Sequence, residues 1–417
     1  MRATTLLGEI LGLNHTTVVG MDFTSEGLVA EVKPTTRLPR CGGCFRVARR
    51  YDRRPPRHWR HLSIVGLDTW LRYDPWRVDC RSCGVRVELV PWAQPDSDFT
   101  STFEDATAHL AQRTDQTTVS TMMRVAWTTV GSIVARVVEK LGPVDRLDGL
   151  RYIGIDELSY RRHHEYVTVV IDHRTARVVW VGEGKSSETL QGFFEELGPE
   201  RSGLLEAVTI DMSGAYIKAV TKASPKARLI FDRFHVQRLA HDAVDEVRRA
   251  EVRALTSAAD RSILKGVRFA LQKNPWNLVR SERLKLTTLQ RENRRIYRAY
   301  LLKESLLDIL DRHQHGVASK KLDEWFRWAM RSRLHPFKKL ARTLRRFKTG
   351  VLAYIRTRLN NGRTEGINGK IRVITRRAFG FHSVQSLIGL IFLCCSGYDL
   401  RPLHRSPSSR FLHPHLS

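Results

Sequence analysis

Three short stretches decide the fold of this 417-residue chain: Tyr152-Ile-Gly-Ile-Asp156, Val208-Thr-Ile-Asp-Met212 and Asn361-Gly-Arg-Thr-Glu-Gly-Ile-Asn368. Each stretch supplies one carboxylate. Asp156 and Asp211 each end a β-branched run that is typical of a buried strand, whereas Glu365 begins an amphipathic stretch that is typical of a helix. A carboxylate at the C-terminal end of a strand projects into the crevice where open α/β sheets place their sites. We therefore expect the three carboxylates to meet at one edge of a sheet.

Such a trio of carboxylates indicates a metal site. Negatively charged groups that share one crevice repel one another strongly unless cations lie between them. Ligand sets made of oxygen alone favour Mg²⁺ or Mn²⁺. The sequence therefore predicts a divalent-metal site formed by Asp156, Asp211 and Glu365.

The segment around the two aspartates alternates strand and helix patterns. We predict strands at 151–156, 165–172, 177–182, 206–211 and 227–232, and helices at 187–197 and 213–223. Three consecutive strands followed by strand-helix units, with an aspartate on the first and the fourth strand, describe an RNase H-like mixed sheet. We predict an α/β catalytic domain at 150–240 and 350–400, interrupted by an all-α basic insertion at 241–349.

Four of the six cysteines form two pairs, Cys41-Gly-Gly-Cys44 and Cys80-Arg-Ser-Cys83. Two CxxC knuckles are typical of a zinc ribbon, because each short turn presents two thiolates to the same ion. The 35 residues between the pairs (45–79) exceed the commonest spacing, so a role without metal remains an alternative. A disulfide framework is a weaker alternative in a cytosolic chain. With the strand patterns around them, the pairs predict a small β and zinc-ribbon module over residues 1–100.

Residues 101–145 change to a helical period. We predict helices at 103–113, 117–125 and 128–140, with a break at Ala126-Trp127 between the last two. This pattern resembles a helix-turn-helix, and a plain helical connector is the alternative. The second helix of such a motif would present four polar side chains to a major groove: Thr128, Thr129, Ser132 and Arg136.

The charge of the chain indicates a polyanionic partner. Seventy Lys and Arg residues stand against 43 Asp and Glu residues, which gives a formal net charge of +27. Such an excess attracts phosphate backbones, although a genome with high Arg usage would also produce a basic protein. An Arg-rich segment at 40–60 includes Tyr51, His58 and Trp59, a mixture suited to phosphate contact and base stacking. A second basic cluster at 338–348 has helical spacing and could face DNA or solvent.

The apolar segments are too short to cross a membrane. The most apolar one, 386–396, is predicted to be a buried helix. The first residues include Glu9 and lack a small-residue cleavage site, which argues against a signal peptide. We therefore expect a cytoplasmic protein without a membrane partner.

The chain resembles the DDE transposases of bacterial insertion sequences, in the family written ISL-three, and the resemblance extends over nearly its whole length. It rests on the double CxxC motif and on four ordered stretches: Ile153-Gly-Ile-Asp-Glu157, Asp211-Met-Ser-Gly-Ala-Tyr216, Phe231-Asp-Arg-Phe-His-Val236, and Asn361-Gly-Arg-Thr-Glu-Gly-Ile-Asn-Gly-Lys-Ile371 followed by Arg376-Arg-Ala-Phe-Gly-Phe381. The resemblance implies that Asp156, Asp211 and Glu365 are the catalytic triad that binds Mg²⁺ or Mn²⁺. It also implies four ligands for Zn²⁺: Cys41, Cys44, Cys80 and Cys83.

The function implied by the resemblance is DNA transposition. Such an enzyme binds the terminal inverted repeats of its own element in double-stranded DNA, cleaves there and transfers the strands, and we expect it to work as a homo-oligomer on DNA. Lys370, Arg376 and Arg377 are then expected to follow the DNA backbone. Two alternatives remain: a catalytically silent DNA-binding regulator derived from a transposase, and another RNase H-like DNA nuclease.

Several polar residues near the trio have less certain roles. Strand alternation turns Glu157 away from Asp156, which favours a structural role. Asp232 and His235 lie near the predicted site, where they could orient water or phosphate or form a local packing network. Asn361 and Asn368 flank the glutamate as a predicted helix cap and a same-side helix neighbour.

Overall fold

The computed structural model describes residues 2–142, 146–161, 165–255, 264, 266–359, 361–378, 381 and 383–400. The described residues form two units. The first unit combines the residues up to 142 with those from 377 onward, and the second unit consists of residues from 143–376.

The amino-terminal part of the first unit is a β module with two small sheets. Its elements are α1 (Ala3–Leu11), β1 (Thr16–Thr24), β2 (Gly27–Pro34), β3 (Arg49–Arg53), β4 (Arg57–Ile64), β5 (Leu67–Tyr73), β6 (Trp76–Cys80) and β7 (Gly84–Val87). The larger sheet has the order β1-β2-β5-β4, with β2 and β5 parallel. Trp59, Leu71 and Trp92 pack in its core. The smaller sheet has the order β3-β6-β7 and carries Cys80 at the end of β6.

In the Arg-rich segment at 40–60, Tyr51 and His58 are exposed, but Trp59 does not have the predicted role. Trp59 lies on β4 with 2% of its surface exposed and packs edge-on against Trp92. Arg60 is also buried and forms an ion pair with Asp68. The prediction that Trp59 stacks on bases is therefore wrong, because strand alternation turns this side chain into the core of the module.

The helical part of the first unit agrees closely with the predicted helices. It consists of α2 (Ser101–Arg113), α3 (Gln116–Met123), α4 (Trp127–Leu141) and the later helix α16 (Val384–Cys395). The apolar face of α4 is buried through Val130, Ile133, Val134 and Val137. Helix α16 packs against α2 and α4, so its apolar character reflects burial, as predicted.

The second unit contains a five-stranded mixed sheet with the order β10-β9-β8-β11-β12. Its strands are β8 (Tyr152–Arg161), β9 (Glu165–Asp172), β10 (Arg177–Glu183), β11 (Ala207–Ile210) and β12 (Arg228–Phe231). The first three strands form antiparallel hairpins, whereas β8, β11 and β12 run parallel. Helices α5 (Ser187–Leu197), α6 (Pro199–Ser202) and α7 (Gly214–Ala223) belong to the same region. This topology confirms the predicted RNase H-like sheet.

The strands are buried because their sequences are rich in β-branched residues. In β9, every residue from Val167 to Asp172 is buried, which is the pattern of a strand covered on both faces. Helix α5 begins where the Ser186 hydroxyl accepts a hydrogen bond from the backbone N–H of Thr189 at 3.1 Å. For β9 and α5, the boundaries expected from the sequence pattern and the capping residue therefore match the observed ones.

One predicted boundary is wrong. The first strand was expected to end at Asp156, but β8 continues to Arg161, and Asp156 pairs with Val169 on β9. The continuation has a physical reason, because Leu158 and Tyr160 alternate into buried positions and extend the hairpin. Asp156 therefore projects from the middle of a strand.

The chain after β12 is helical and contains many basic residues. Its helices are α8 (Arg233–Ala254), α9 (Val267–Gln272), a 3₁₀ turn at Pro275–Asn277, α10 (Arg280–Glu292), α11 (Arg294–Asp311), α12 (His315–Arg331), α13 (His335–Arg346), α14 (Lys348–Thr357) and α15 (Gly362–Arg377). Helix α14 packs against β12 and brings the chain back to the sheet. Helix α15 carries Glu365.

Candidate active site

Two of the predicted carboxylates lie on neighbouring parallel strands. Asp156 projects from β8, and Asp211 directly follows the last residue of β11. The Asp156 carboxylate accepts a hydrogen bond from Asn368 Nδ2 at 2.7 Å and one from its neighbouring backbone N–H at 2.8 Å. The Asp211 carboxylate accepts a hydrogen bond from the backbone N–H of Ser213 at 2.9 Å. Both acidic groups are therefore held in defined orientations.

The third carboxylate comes from the first turn of α15. The backbone N–H of Glu365 donates to the Asn361 carbonyl at 2.6 Å, which starts the helix. Asn368 lies three residues further on and therefore on the same side of the helix as Glu365. Because Asn368 bonds Asp156, this side of α15 faces the acidic edge of β8. The side chain of Glu365 is exposed, as a group that meets a substrate must be.

The three carboxylates act on one another electrostatically. Burial raises the pKa of Asp156, and the negative charge of Asp211 raises it further. Burial also raises the pKa of Glu365, followed by the charges of Asp232 and Asp156. Burial is the larger cause of each shift, and the neighbouring negative charge adds to it by stabilising the protonated form. The structure thus brings the predicted trio into one shared field of negative charge.

This field suits hard cations. The donor atoms are oxygens, which Mg²⁺ and Mn²⁺ prefer. The buried Oδ1 of Asn368 has no hydrogen-bond partner in the described part of the chain, although Nδ2 of the same side chain donates to Asp156. Among the described residues, only the cysteines bring three or more His, Cys or carboxylate donor atoms within 4.8 Å of one another, so the carboxylates stand further apart. The chemistry of the donor set nevertheless fits a divalent cation.

Three neighbouring polar residues differ in their contacts and charges. Glu157 pairs with Thr168 in the hairpin, and burial followed by the charge of Asp211 raises its pKa. Asp232 is 1% exposed, and its charge acts on Glu365. His235 accepts a hydrogen bond from Arg238 at 2.8 Å, which is a local packing contact. Asp232, whose role the sequence left open, is therefore a buried acidic neighbour of this site.

The four paired cysteines form a tight cluster. Their sulfur atoms lie within 4.8 Å of one another, and Cys44 Sγ is 3.4 Å from Cys80 Sγ. Four sulfurs around one tetrahedral zinc lie about 3.8 Å apart, given a Zn–S distance of about 2.3 Å. Gly42 permits the close approach of this knuckle to β7, because a Cβ there would lie 2.7 Å from the Val87 carbonyl oxygen. The cluster has the size of a zinc site.

The thiols of this cluster differ in acidity. Hydrogen bonding from the backbone of Ser82, together with Cys44, lowers the pKa of Cys80 to about 7. Hydrogen bonding to Cys44 and burial raise the pKa of Cys83 to about 12. Such a difference in pKa arises when neighbouring sulfur atoms repel one another as thiolates. A cation bound between the sulfur atoms removes this repulsion.

The helix-turn-helix consists of α3 and α4. Asp115 caps α3 by accepting from the backbone N–H of Thr118 at 2.9 Å, and Arg124 ends it in the left-handed conformation with φ 51°. On α4, Thr128 and Ser132 are exposed and Thr129 is partly exposed, as a base-reading surface requires. Arg136 forms an ion pair with the buried Glu104 at 2.7 Å, which ties α4 to α2.

The predicted backbone-contacting residues of α15 have different surroundings. Lys370 and Arg376 are exposed. Arg377 is partly buried and donates to the carbonyls of Ala111 at 2.8 Å and Gln112 at 3.1 Å. These carbonyls belong to the last turn of α2, where a cation satisfies unpaired acceptors. Arg377 therefore has a structural contact in addition to its predicted one.

The basic cluster on α13 presents one charged face. Its apolar side is buried through Phe337, Leu340, Ala341 and Leu344. The opposite side carries cations that form no ion pair among the described residues: Lys338, Lys339, Arg342, Arg345 and Arg346. We call these five residues the α13 basic face. Unpaired cations at helical spacing are available for phosphate contact.

An RNase H-like sheet with this acidic edge, joined to a helix-turn-helix, defines a DDE transposase. A family profile described as a transposase matches residues 153–391, and another, described as the helix-turn-helix domain of transposase family ISL3, matches residues 88–138. The chain belongs to the ISL3 family of transposases, which confirms the resemblance noted in its sequence. It is a DNA-binding and DNA-cleaving enzyme that catalyses the transposition of an insertion sequence.

Two transposases of bacterial insertion sequences align with most of this chain. The transposase for insertion sequence element IS1557 of Mycobacterium tuberculosis is 38% identical and aligns with all of both chains. The transposase for insertion sequence element IS1001 of Bordetella parapertussis is 30% identical over 85% of this chain and 88% of its own length. The family implies the use of divalent metal ions. None of the helices among the described residues combines the length and apolar character that a membrane span requires.

Proposed function

We propose that Asp156, Asp211 and Glu365 are the catalytic triad of this transposase and that they hold Mg²⁺, or Mn²⁺ in its place. The observation that carries the proposal is their shared electrostatic field, in which the charges of Asp211 and Asp156 raise the pKa values of Asp156 and Glu365 respectively. A cation bound between the carboxylates relieves this repulsion.

The side chains around the triad orient it for phosphoryl transfer. When bound, the metal ions supply activation of water and of the freed 3′-hydroxyl and stabilise the attacking and leaving oxygens. Asn368 holds one oxygen of Asp156, and the backbone of Ser213 holds one oxygen of Asp211. Cleavage and strand transfer in this arrangement need no covalent bond between protein and DNA, unlike reactions that use a serine or tyrosine nucleophile.

The first unit is proposed to select the element ends. Cys41, Cys44, Cys80 and Cys83 would hold one Zn²⁺ and so stabilise the β module. The exposed residues Thr128, Thr129 and Ser132 would contact bases in the terminal inverted repeats, with Arg136 holding their helix in place. Lys370, Arg376 and Arg377 would follow the DNA backbone. The proposal includes a homo-oligomer on DNA, because two element ends must be brought together, and a location in the cytoplasm with the chromosome.

The triad is tested by neutral replacements of the same shape. Asp156→Asn, Asp211→Asn and Glu365→Gln should each reduce Mg²⁺-dependent cleavage of end-containing DNA by about a hundredfold or more, while binding to the ends is kept. Glu188→Gln, which neutralises an exposed carboxylate on α5, is the matched control and should cleave normally. Cleavage at the normal rate by Glu365→Gln would refute the assignment.

A further inference from the structure

Two residues at the ends of the helical insertion are hydrogen bonded to each other. Asp232 follows β12, and Asn361 precedes the helix that carries Glu365. The backbone N–H of Asn361 donates to Asp232 Oδ1 at 3.2 Å, although the two residues are 129 positions apart. Each is 1% exposed. The start of α15 is therefore fixed against the sheet at a buried point.

A second buried contact extends this link into the sheet. The Thr209 hydroxyl donates to Asn361 Oδ1, and His173 Nε2 lies 2.7 Å from the Thr209 oxygen. Because the single hydroxyl proton is given to Asn361, His173 Nε2 is the donor to Thr209. Thr209 and His173 are 0% and 3% exposed. We call Asp232, Asn361, Thr209 and His173 the buried clamp.

The sheet also leaves room for α15 to approach. Gly154 lies on β8, two residues before Asp156, and a Cβ at this position would be 2.5 Å from Thr364 Oγ1 and 2.9 Å from His173 Nε2. No other residue can occupy this position without displacing one of these groups. Thr364 directly precedes Glu365, so the absence of a side chain at Gly154 sets the distance of the glutamate from the sheet.

Two atoms of the buried clamp carry an energetic cost. Asp232 Oδ2 and Asn361 Nδ2 are buried and have no hydrogen-bond partner among the residues that the structure describes. An unsatisfied buried polar group lowers the stability of the folded chain. A cluster that served only stability would gain from apolar residues of similar shape. The loss of stability is explained if the clamp is retained because it fixes the position of the first turn of α15.

We propose that the buried clamp is a set of positioning residues that holds Glu365 where it can share a divalent cation with Asp156 and Asp211. This inference rests on the proposed triad. Under this proposal, the residues of the buried clamp contact neither the metal nor the DNA. Their effect on the reaction passes through the position of the first turn of α15.

The test removes one hydroxyl from the clamp without changing its shape. Thr209→Val should weaken Mn²⁺ binding to the DNA-free protein about tenfold or more, measured by the electron paramagnetic resonance signal of free Mn²⁺, as loss of an outer-sphere partner does in other metal sites. The Mg²⁺ concentration for half-maximal cleavage should rise in parallel. Thr209→Ser keeps the donor and should restore both values.

The matched control is Thr168→Val. Thr168 is also 0% exposed, but its hydroxyl bonds Gly184 and Tyr216 instead of the clamp. Its Mn²⁺ affinity should stay close to that of the unmodified protein. If Thr168→Val and Thr209→Val lost Mn²⁺ affinity equally, the loss would reflect general packing and the proposal would be overturned. Normal Mn²⁺ binding by Thr209→Val would also overturn it.

Two further variants keep the test decisive. If Thr209→Val does not fold, as judged by thermal unfolding, Gly154→Ala perturbs the same helix from the neighbouring strand β8, where Gly154 pairs with Thr209, and should give the same loss of Mn²⁺ affinity. Normal affinity in that variant would overturn the proposal. Asp156→Asn serves as the reference for the metal site itself. If it binds Mn²⁺ normally, the proposed triad fails; if it does not, a normal Thr209→Val rejects the clamp alone.

Discussion

At the scale of single residues, burial changes the protonation of a histidine that supports the start of α2. His61 on β4 is 3% exposed, and its Nδ1 accepts a hydrogen bond from the Thr100 hydroxyl at 2.9 Å. The Thr100 oxygen in turn accepts from the backbone N–H of Phe103 and caps α2. Burial lowers the pKa of His61 to about 4, although a hydrogen bond with the backbone of Leu11 opposes the shift.

This histidine predicts a loss of stability in acid. Between an unfolded pKa of about 6.5 and the folded value, the unfolded chain binds a proton that the folded chain excludes. The contribution is complete above pH 6.5 and is lost as the pH falls through about 4, with a total on the order of 3 kcal/mol. Urea unfolding at pH 7.5, 5.5 and 4.5 measures it. His61→Asn, which keeps an amide near Nδ1, should lose less stability on acidification; an unchanged pH dependence would contradict the prediction.

Single residues also show what the sequence could and could not predict about the site. The carboxylates Asp156, Asp211 and Glu365 were recognisable because each lies in a local pattern. The two aspartates follow β-branched runs that predict strands, and the glutamate begins a stretch that predicts a helix. The contact between Asp232 and Asn361 was not, because residues 129 positions apart share no pattern in the sequence. Contacts between residues that are close in sequence can be inferred from periodicity, whereas contacts between distant residues are seen only in the folded structure.

At the scale of elements, the Arg-rich strands explain one wrong prediction. Arginines and aromatic residues occur together along β3, β4 and β6, a composition that also occurs in nucleic-acid-binding segments. In the structure, the guanidinium groups of Arg50 and Arg53 lie 5.1 Å and 4.6 Å from the ring centroid of Trp76. Much of the aromatic surface is thus used within the module, through cation–π contacts.

The cysteine cluster predicts a module that depends on its metal. Cys80→Ser should remove one bound zinc per chain, destabilise the β module by several kcal/mol and weaken binding to element ends, because structural zinc contributes directly to folding. Metal analysis and thermal unfolding of the full chain measure the change. Cys394→Ser, which alters a cysteine of α16 outside the cluster, should retain both zinc and stability. A full zinc content in Cys80→Ser would exclude this role.

At the scale of the whole molecule, the order of elements was more predictable than their tertiary contacts. The β-branched runs of β8 to β12 and the periodic helices between them follow from local composition, and the rules for connecting successive strands then predict the RNase H-like sheet. The close approach at Gly154 does not, because the group that would clash with a side chain there, Thr364, comes from a distant helix. Close packing between distant elements is the part that the sequence alone left undetermined.

The net charge of +27 predicts strongly salt-dependent DNA binding, to which the α13 basic face should contribute without sequence preference. Replacing Lys338, Lys339, Arg342 and Arg345 by Gln should weaken binding to repeat and random DNA alike. If each contacts one phosphate, the slope of log affinity against log salt should decrease by roughly 3 to 4. Fluorescence anisotropy titrations at several salt concentrations measure both effects.

A matched control removes the same charge from paired cations of the same helical region. Four arginines there already contact a carboxylate: Arg249, Arg268, Arg295 and Arg312. Their replacement by Gln should change the slope much less, because cations already held by a carboxylate neutralise fewer phosphates and so release fewer counterions from the DNA. If the α13 changes instead removed the preference for repeat ends and left random-DNA affinity intact, this face would be the sequence reader.

The hydrogen bond between Asp232 and Asn361 also bears on how such an enzyme can evolve. The helical segment leaves the sheet and returns to it at atoms 3.2 Å apart, so a short turn could close the gap if the segment were lost. A single recombination event in the gene could therefore add, remove or exchange the segment without altering the order of the five strands. Natural chains with shorter, longer or unrelated segments at this junction are compatible with the same acidic edge.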